Sequence, residues 1–121
     1  MYTVKVESDF SSAHNLRGYK GKCEELHGHN WKVEVSVASD RLDAIGMVID
    51  FGELKNALNE VLSGLDHKHL NSLEYFKSVN PTSENIAKYV FERIAEKKQD
   101  LHIRKVTVWE TPKACASYSV T

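Results

Sequence analysis

The chain has 121 residues, 41% of them hydrophobic and 27% charged, with 16 Lys+Arg against 17 Asp+Glu and a net charge of −1. That length fits one domain over 1–121, within the usual roughly 100–150 residues, and the composition is that of a globular chain rather than a disordered or disulfide-stapled one. A near-neutral balance without a basic block excludes the footprint of a nucleic-acid binder, and no apolar stretch approaches the about 20 residues that cross a membrane. Residues 1–7 lack the basic start and apolar block of a secretory signal. Two cysteines, Cys23 and Cys115, are too few for a disulfide framework, so the expected compartment is the reducing cytoplasm.

Residues 2–14 are predicted as a first strand, because Tyr2, Val4, Val6, Ser8, Phe10, Ser12 and His14 share one face while Thr3, Lys5, Glu7 and Asp9 alternate with them. A loop over 15–26 carries Gly18 and Gly21. Residues 27–38 form a second strand with His27, His29, Trp31, Val33, Val35 and Val37 on one face. Asp50 can cap a helix, with Glu53 three residues on, and Phe51, Leu54, Leu58, Val61 and Leu62 then keep helical spacing until Gly64. After a 65–81 loop ending in Asn80-Pro81, Thr82 or Ser83 caps a second helix with Glu84 in its first turn and Ile86, Val90, Phe91 and Ile94 as its buried stripe. Alternation returns over 102–110, with Ile103, Lys105, Thr107 and Trp109 opposite Arg104, Val106, Val108 and Glu110, and 115–120 makes a last strand. The order ββααββ predicts an α+β fold, a four-stranded antiparallel sheet with two helices on one face. Its long strands would leave unpaired edges, which predicts an oligomer built by edge pairing.

Six histidines are many for this length, and their placement matters more than their number. Strand periodicity points His27 and His29 the same way, with Gly28 between them, and His14 can reach the same point if the two strands pair as a hairpin. Three neutral imidazoles leave an open position on a zinc ion, the arrangement of a catalytic site. The plainer alternative is a set of hydrogen-bonded histidines at a strand start. Cys23 lies in a polar loop, whereas Cys115 reads as a small apolar filler. Asp66 and His67 can form a carboxylate–imidazole pair, or simply the polar end of a helix. Glu110 is either a solvated acid or an acceptor for a planar guanidine-like edge.

The ordered motifs Ser12-Ala13-His14, Cys23-x-x-x-His27-Gly28-His29, Val48-Ile49-Asp50-Phe51, Leu65-Asp66-His67, Asn80-Pro81-Thr82-Ser83-Glu84 and Trp109-Glu110-Thr111 span nearly the whole chain. This constellation resembles the 6-pyruvoyltetrahydropterin synthase family, and within it the 6-carboxy-5,6,7,8-tetrahydropterin synthase branch that feeds queuosine synthesis. The resemblance implies the tunnelling fold, with subunits closing into barrels and a homohexamer made as a dimer of trimers whose active sites lie at subunit interfaces. It implies zinc on His14, His27 and His29, Cys23 as general base, Asp66 and His67 as a proton relay, and Glu110 as pterin anchor and relay member. Thr82, Ser83 and Glu84 would line the pterin pocket, and Arg17, Lys20 and Lys22 are candidate cations for a triphosphate. The implied reaction converts 7,8-dihydroneopterin triphosphate to 6-carboxy-5,6,7,8-tetrahydropterin, a lyase reaction releasing acetaldehyde and triphosphate. Elimination of triphosphate alone, to the pyruvoyl product, and a non-catalytic pterin- or zinc-binding module on the same fold are the alternatives.

Overall fold

The computed structural model describes residues 1–19, 21 and 24–120. Period-two alternation builds strands β1 (Tyr2–His14) and β2 (His27–Ser39), which pair antiparallel along all of β1, setting Phe10 opposite Trp31, Ser12 opposite His29 and His14 opposite His27. Helices α1 (Phe51–Ser63) and α2 (Ser83–Lys97) follow, then strands β3 (Ile103–Thr111) and β4 (Ala114–Ser119), and the sheet order is β1-β2-β3-β4. The expected ββααββ arrangement is therefore the one observed. No helix among the described residues is long and apolar enough to cross a membrane.

Both helices start where a side chain supplies the acceptor that the first turn lacks. Asp50 accepts the Glu53 N–H at 3.0 Å, and Thr82 accepts the Asn85 N–H at 3.1 Å. Gly64 ends α1 with a right-handed φ of −76°, so its role is to stop the helix without a left-handed turn. The 65–81 connection contains two short 3-10 turns, Leu70–Ser72 and Glu74–Lys77, whose Leu70 and Phe76 are fully buried.

Leu54, Leu58, Val61 and Leu62 of α1 and Ile86, Val90, Phe91 and Ile94 of α2 pack onto the sheet face carrying Phe10, Trp31, Val33, Val35, Val37, Val106 and Val108. Each such side chain contributes about 1.5–3 kcal/mol when removed from water, so this layer supplies the main driving force. Two sequence expectations change here. Phe51, expected in the buried stripe, is 62% exposed, because the first helical position points it beside Tyr2, Leu42 and Met47 at the surface. Ile103, expected on the face of Lys105 and Thr107, is buried with Val106 and Val108. The register steps from Ser36 opposite Lys105 to Val37 opposite Ile103, and this bulge at Arg104 reverses the face of everything before it.

The apolar face stops at the stacked rings of Phe10 and Trp31, whose centroids are 5.8 Å apart. Two residues further along each strand the same face carries Ser12, His29, His14 and His27. The core thus ends in a row of imidazoles.

Candidate metal centre

His14, His27, His29 and Glu110 bring one ligand atom each to within 4.8 Å of one another. The hairpin register sets the three histidines, since two on β2 are separated by one residue and the third lies opposite His27 on β1. Glu110 arrives differently. Trp109 pairs with Cys115 and Thr111 with Ala114, which leaves Glu110 as the extra residue of a bulge. Bulges re-aim a side chain, and this one puts Glu110 Oε1 3.3 Å from His29 Nε2.

The ring orientations are fixed by two backbone carbonyls. His14 Nδ1–H donates to the Pro81 carbonyl at 2.7 Å, and His27 Nδ1–H donates to the Glu25 carbonyl at 2.7 Å. A carbonyl can only accept, so both neutral rings carry their proton on Nδ1 and present Nε2 as a lone pair. Those two Nε2 atoms face each other at 3.1 Å. Two facing lone pairs need a proton or a cation between them. His29 Nε2 is buried without a hydrogen-bond partner among the described residues, since its approach to Glu110 lacks hydrogen-bond geometry. Two ring nitrogens with their lone pairs turned inward, a third imidazole beside them and a carboxylate oxygen make up the donor set of a divalent metal such as zinc, and the Nδ1 carbonyl contacts are the outer shell such ligands use.

Trp31 forms the floor, its ring edge-on to His14 at 4.9 Å and to His29 at 5.2 Å. Burial pushes His14 below its ordinary 6.5, with the Pro81 carbonyl pulling the other way, and burial likewise lowers His29 against the opposing pull of Glu110. Both rings are therefore biased to the neutral form that ligates metal.

Asp66 and His67 lie elsewhere. Asp66 Oδ1 accepts the Ser11 N–H at 2.9 Å and Oδ2 meets His67 Nδ1 at 2.9 Å. The Ser11 N–H first, and His67 second, hold the Asp66 carboxyl below its usual range. His67 adopts φ 54°, a left-handed conformation that costs a non-glycine residue about 1–3 kcal/mol, and its N–H donates to the Ser11 carbonyl at 2.6 Å. Its ring is 82% exposed, and no hydrogen bond or ion pair joins it to the histidine cluster among the described residues. Thr82 and Ser83 begin α2 and Glu84 is exposed in its first turn, directly after the Pro81 that holds His14.

Cys23, Lys20 and Lys22 lie outside the described residues. Arg17, read as a candidate triphosphate contact, turns Nη2 onto the carbonyls of Phe76 at 2.5 Å and Val79 at 2.9 Å. Sequence reasoning also missed the carbonyls of Pro81 and Glu25, and the only signal for the first was the Asn80-Pro81 break before the helix cap.

Residues 3–120 match the family model for 6-pyruvoyl tetrahydropterin synthase. The chain is 40% identical over 124 residues to the Synechocystis sp. 6-carboxy-5,6,7,8-tetrahydropterin synthase, covering 98% of this chain and 93% of that protein. Identity is also 40% over 114 residues with the Drosophila melanogaster 6-pyruvoyl tetrahydrobiopterin synthase, at 89% and 67% coverage. Among solved structures, the Caenorhabditis elegans 6-pyruvoyl tetrahydropterin synthase superposes with a TM-score of 0.89 at 33% identity, over 99% of this chain and 96% of that one.

Proposed function

The chain belongs to the 6-pyruvoyl tetrahydropterin synthase family, and from that premise we propose that it converts 7,8-dihydroneopterin triphosphate and one water to 6-carboxy-5,6,7,8-tetrahydropterin, acetaldehyde and triphosphate. The observation that carries this reading is the convergence of one ring nitrogen from each of His14, His27 and His29 with a carboxylate oxygen of Glu110. His14, His27 and His29 would hold zinc, which when bound would supply Lewis-acid chemistry that eases proton removal from hydroxyl groups at neutral pH.

The chain's own residues then divide the remaining work. Cys23 takes the first proton as general base, a role that needs a thiol pKa below about 8.5. Asp66 holds the His67 ring by Nδ1, which leaves the other ring nitrogen to accept or return the second proton. Glu110 accepts the paired N–H groups of the pterin's guanidine-like edge, and Thr82, Ser83 and Glu84 line the adjoining part of the pocket.

The His67 ring is exposed and bonds to none of the clustered histidines of its own chain among the described residues, which supports a site shared between neighbouring subunits of a homohexamer. β1 is an edge strand, and among the described residues its outer side over Tyr2–Asp9 meets no other strand and carries the Lys55 ammonium on the Glu7 carbonyl, with Tyr2, Leu42 and Phe51 exposed beside it. Few cysteines fit a cytoplasmic enzyme, and the carboxy product places it in queuosine synthesis. The three residues between Cys23 and His27 resemble the carboxy branch.

Equal identity to a pyruvoyl-named relative keeps one second reading, elimination of triphosphate alone. Incubating the zinc-loaded protein with 7,8-dihydroneopterin triphosphate and weighing the products decides between them. A carboxytetrahydropterin with acetaldehyde is expected. A pyruvoyl product establishes the second reading, and no turnover makes the protein a binding module.

A further inference from the structure

Alternate residues of an extended chain turn N–H and C=O to the same side. Ser11, Ala13, Asn15 and Arg17 turn theirs away from β2, although the last two lie beyond the end of β1, and each is met by the 66–80 segment. Ser11 exchanges bonds with Asp66 and His67, and the Ala13 N–H donates to the Lys68 carbonyl at 3.0 Å. Asn15 and Arg17 are met by side-chain amides instead of backbone. Asn71 Oδ1 accepts the Asn15 N–H at 3.0 Å while its Nδ2 donates to the Asn15 carbonyl at 2.8 Å. Asn80 treats Arg17 the same way, accepting its N–H at 2.9 Å and donating to its carbonyl at 2.8 Å.

Asn80 immediately precedes Pro81, whose carbonyl fixes the proton of His14 on Nδ1. That carbonyl is main chain, so it is placed by whatever holds the turn. Three sets of bonds do so: the Asn80 clasp on Arg17, the Arg17 Nη2 on Phe76 and Val79, and the Asn85 amide on the Asn80 carbonyl at 2.9 Å. If the Pro81 carbonyl moves away, the His14 proton can shift to Nε2 and be donated to His27 Nε2, only 3.1 Å distant. That bond would occupy both ligand atoms at once.

We propose that Asn80 and Arg17 are positioning residues for His14, their clasp setting the Pro81 carbonyl that keeps the Nε2 lone pairs of His14 and His27 free for a metal. The role rests on the metal reading above, and its test separates the two. Metal-free wild type and Asn80→Ala are titrated with Zn2+ against a chromophoric chelator, and the ring nitrogens of His14 are followed by NMR in the metal-free proteins. Asn80→Ala should bind zinc about 10-fold more weakly or worse, the loss typical of an outer-shell partner, with His14 gaining the Nε2–H tautomer.

Arg17→Lys keeps the charge but loses the two-carbonyl contact, and should move both readouts the same way by less. Asn59→Ala removes a hydrogen bond to Ser8, on the same strand but away from the histidines, and should move neither. A folded Asn80→Ala protein with affinity within about 2-fold of wild type and an unchanged tautomer overturns the proposal. If that variant does not fold, unchanged affinity and tautomer in Arg17→Lys overturn it equally. A wild type that binds no zinc sinks the metal reading instead, and the tautomer comparison then decides the positioning role alone.

Discussion

His14 is 1% exposed, bonded through Nδ1 to a carbonyl 67 residues along the chain and edge-on to two other imidazoles, whereas His67 is 82% exposed and stands on a left-handed backbone beside Asp66. The first ring belongs to a cluster that one chain assembles completely, with a tryptophan floor and neutral rings favoured by burial. The second belongs to a pair held rigidly at its base and aimed outward. The left-handed turn at His67, at a cost of about 1–3 kcal/mol, is held by the bonds of this segment to Ser11 and Ala13, and it leaves the ring in solvent. In the proposed reading one cluster receives a ligand and the other reaches one.

The sharpest way to break that contrast is to remove a ligand. His29→Ala should lower zinc affinity by more than the about 10–100-fold that an outer-shell loss causes, and product formation should fall with it. Because the His29 Nε2 has no hydrogen-bond partner among the described residues, the fold should remain, as circular dichroism would show. Calorimetric titration with zinc measures the loss, and wild-type affinity in this variant would mean that the three rings do not share a cation.

His67→Ala should behave in the opposite manner, binding zinc as wild type does while turning over about 10²–10⁴-fold more slowly, the usual contribution of a placed acid–base group. The backbone gives a second handle on the same residue. His67→Gly relieves the left-handed conformation and should be more stable than His67→Ala by about 1 kcal/mol in urea unfolding, even though both lack the ring. Loss of zinc affinity in either variant would join the two clusters into one.

How much of this could be read beforehand follows from the range over which each cause acts. Period-two spacing placed His14, His27 and His29 on one face, and Asp50 and Thr82 were visible as caps, because strand faces and helix starts depend on neighbours in the chain. The bulges were not visible. One at Arg104 moves Ile103 into the core, and one at Glu110 swings its carboxylate to His29, and neither has a local signature in a run of alternating residues. The Pro81 carbonyl on His14 joins residues 67 apart, and the Asn80 clasp on Arg17 joins residues 63 apart. Such contacts exist only after α2 has docked, so asparagines that close the site read in the sequence as ordinary loop residues. The outward aim of His67 was hidden for the same reason, since glycine, not histidine, is the usual sign of a left-handed residue.

Asp66 gives the smallest expected effect and the finest test of the outward pair. Its carboxyl sits below the ordinary 3.8 because the Ser11 N–H and then His67 favour the charged form. An unfolded chain takes up a proton near 3.8 while the folded chain resists until a lower pH, so the unfolded state binds more protons in that interval and stability falls as pH falls. The contribution is complete above the unfolded value and disappears as pH drops through the folded one. Asp66→Asn cannot ionise, and its melting temperature should lie slightly below wild type at about pH 6 and converge on it as pH falls below 3.8 and through the lower folded value. The side chain is 42% exposed, so added salt should narrow the difference at pH 6. A gap that stays constant across pH would mean that the bond to Ser11 works without the charge, and Asp66 would then fix the loop rather than prepare His67 for proton transfer.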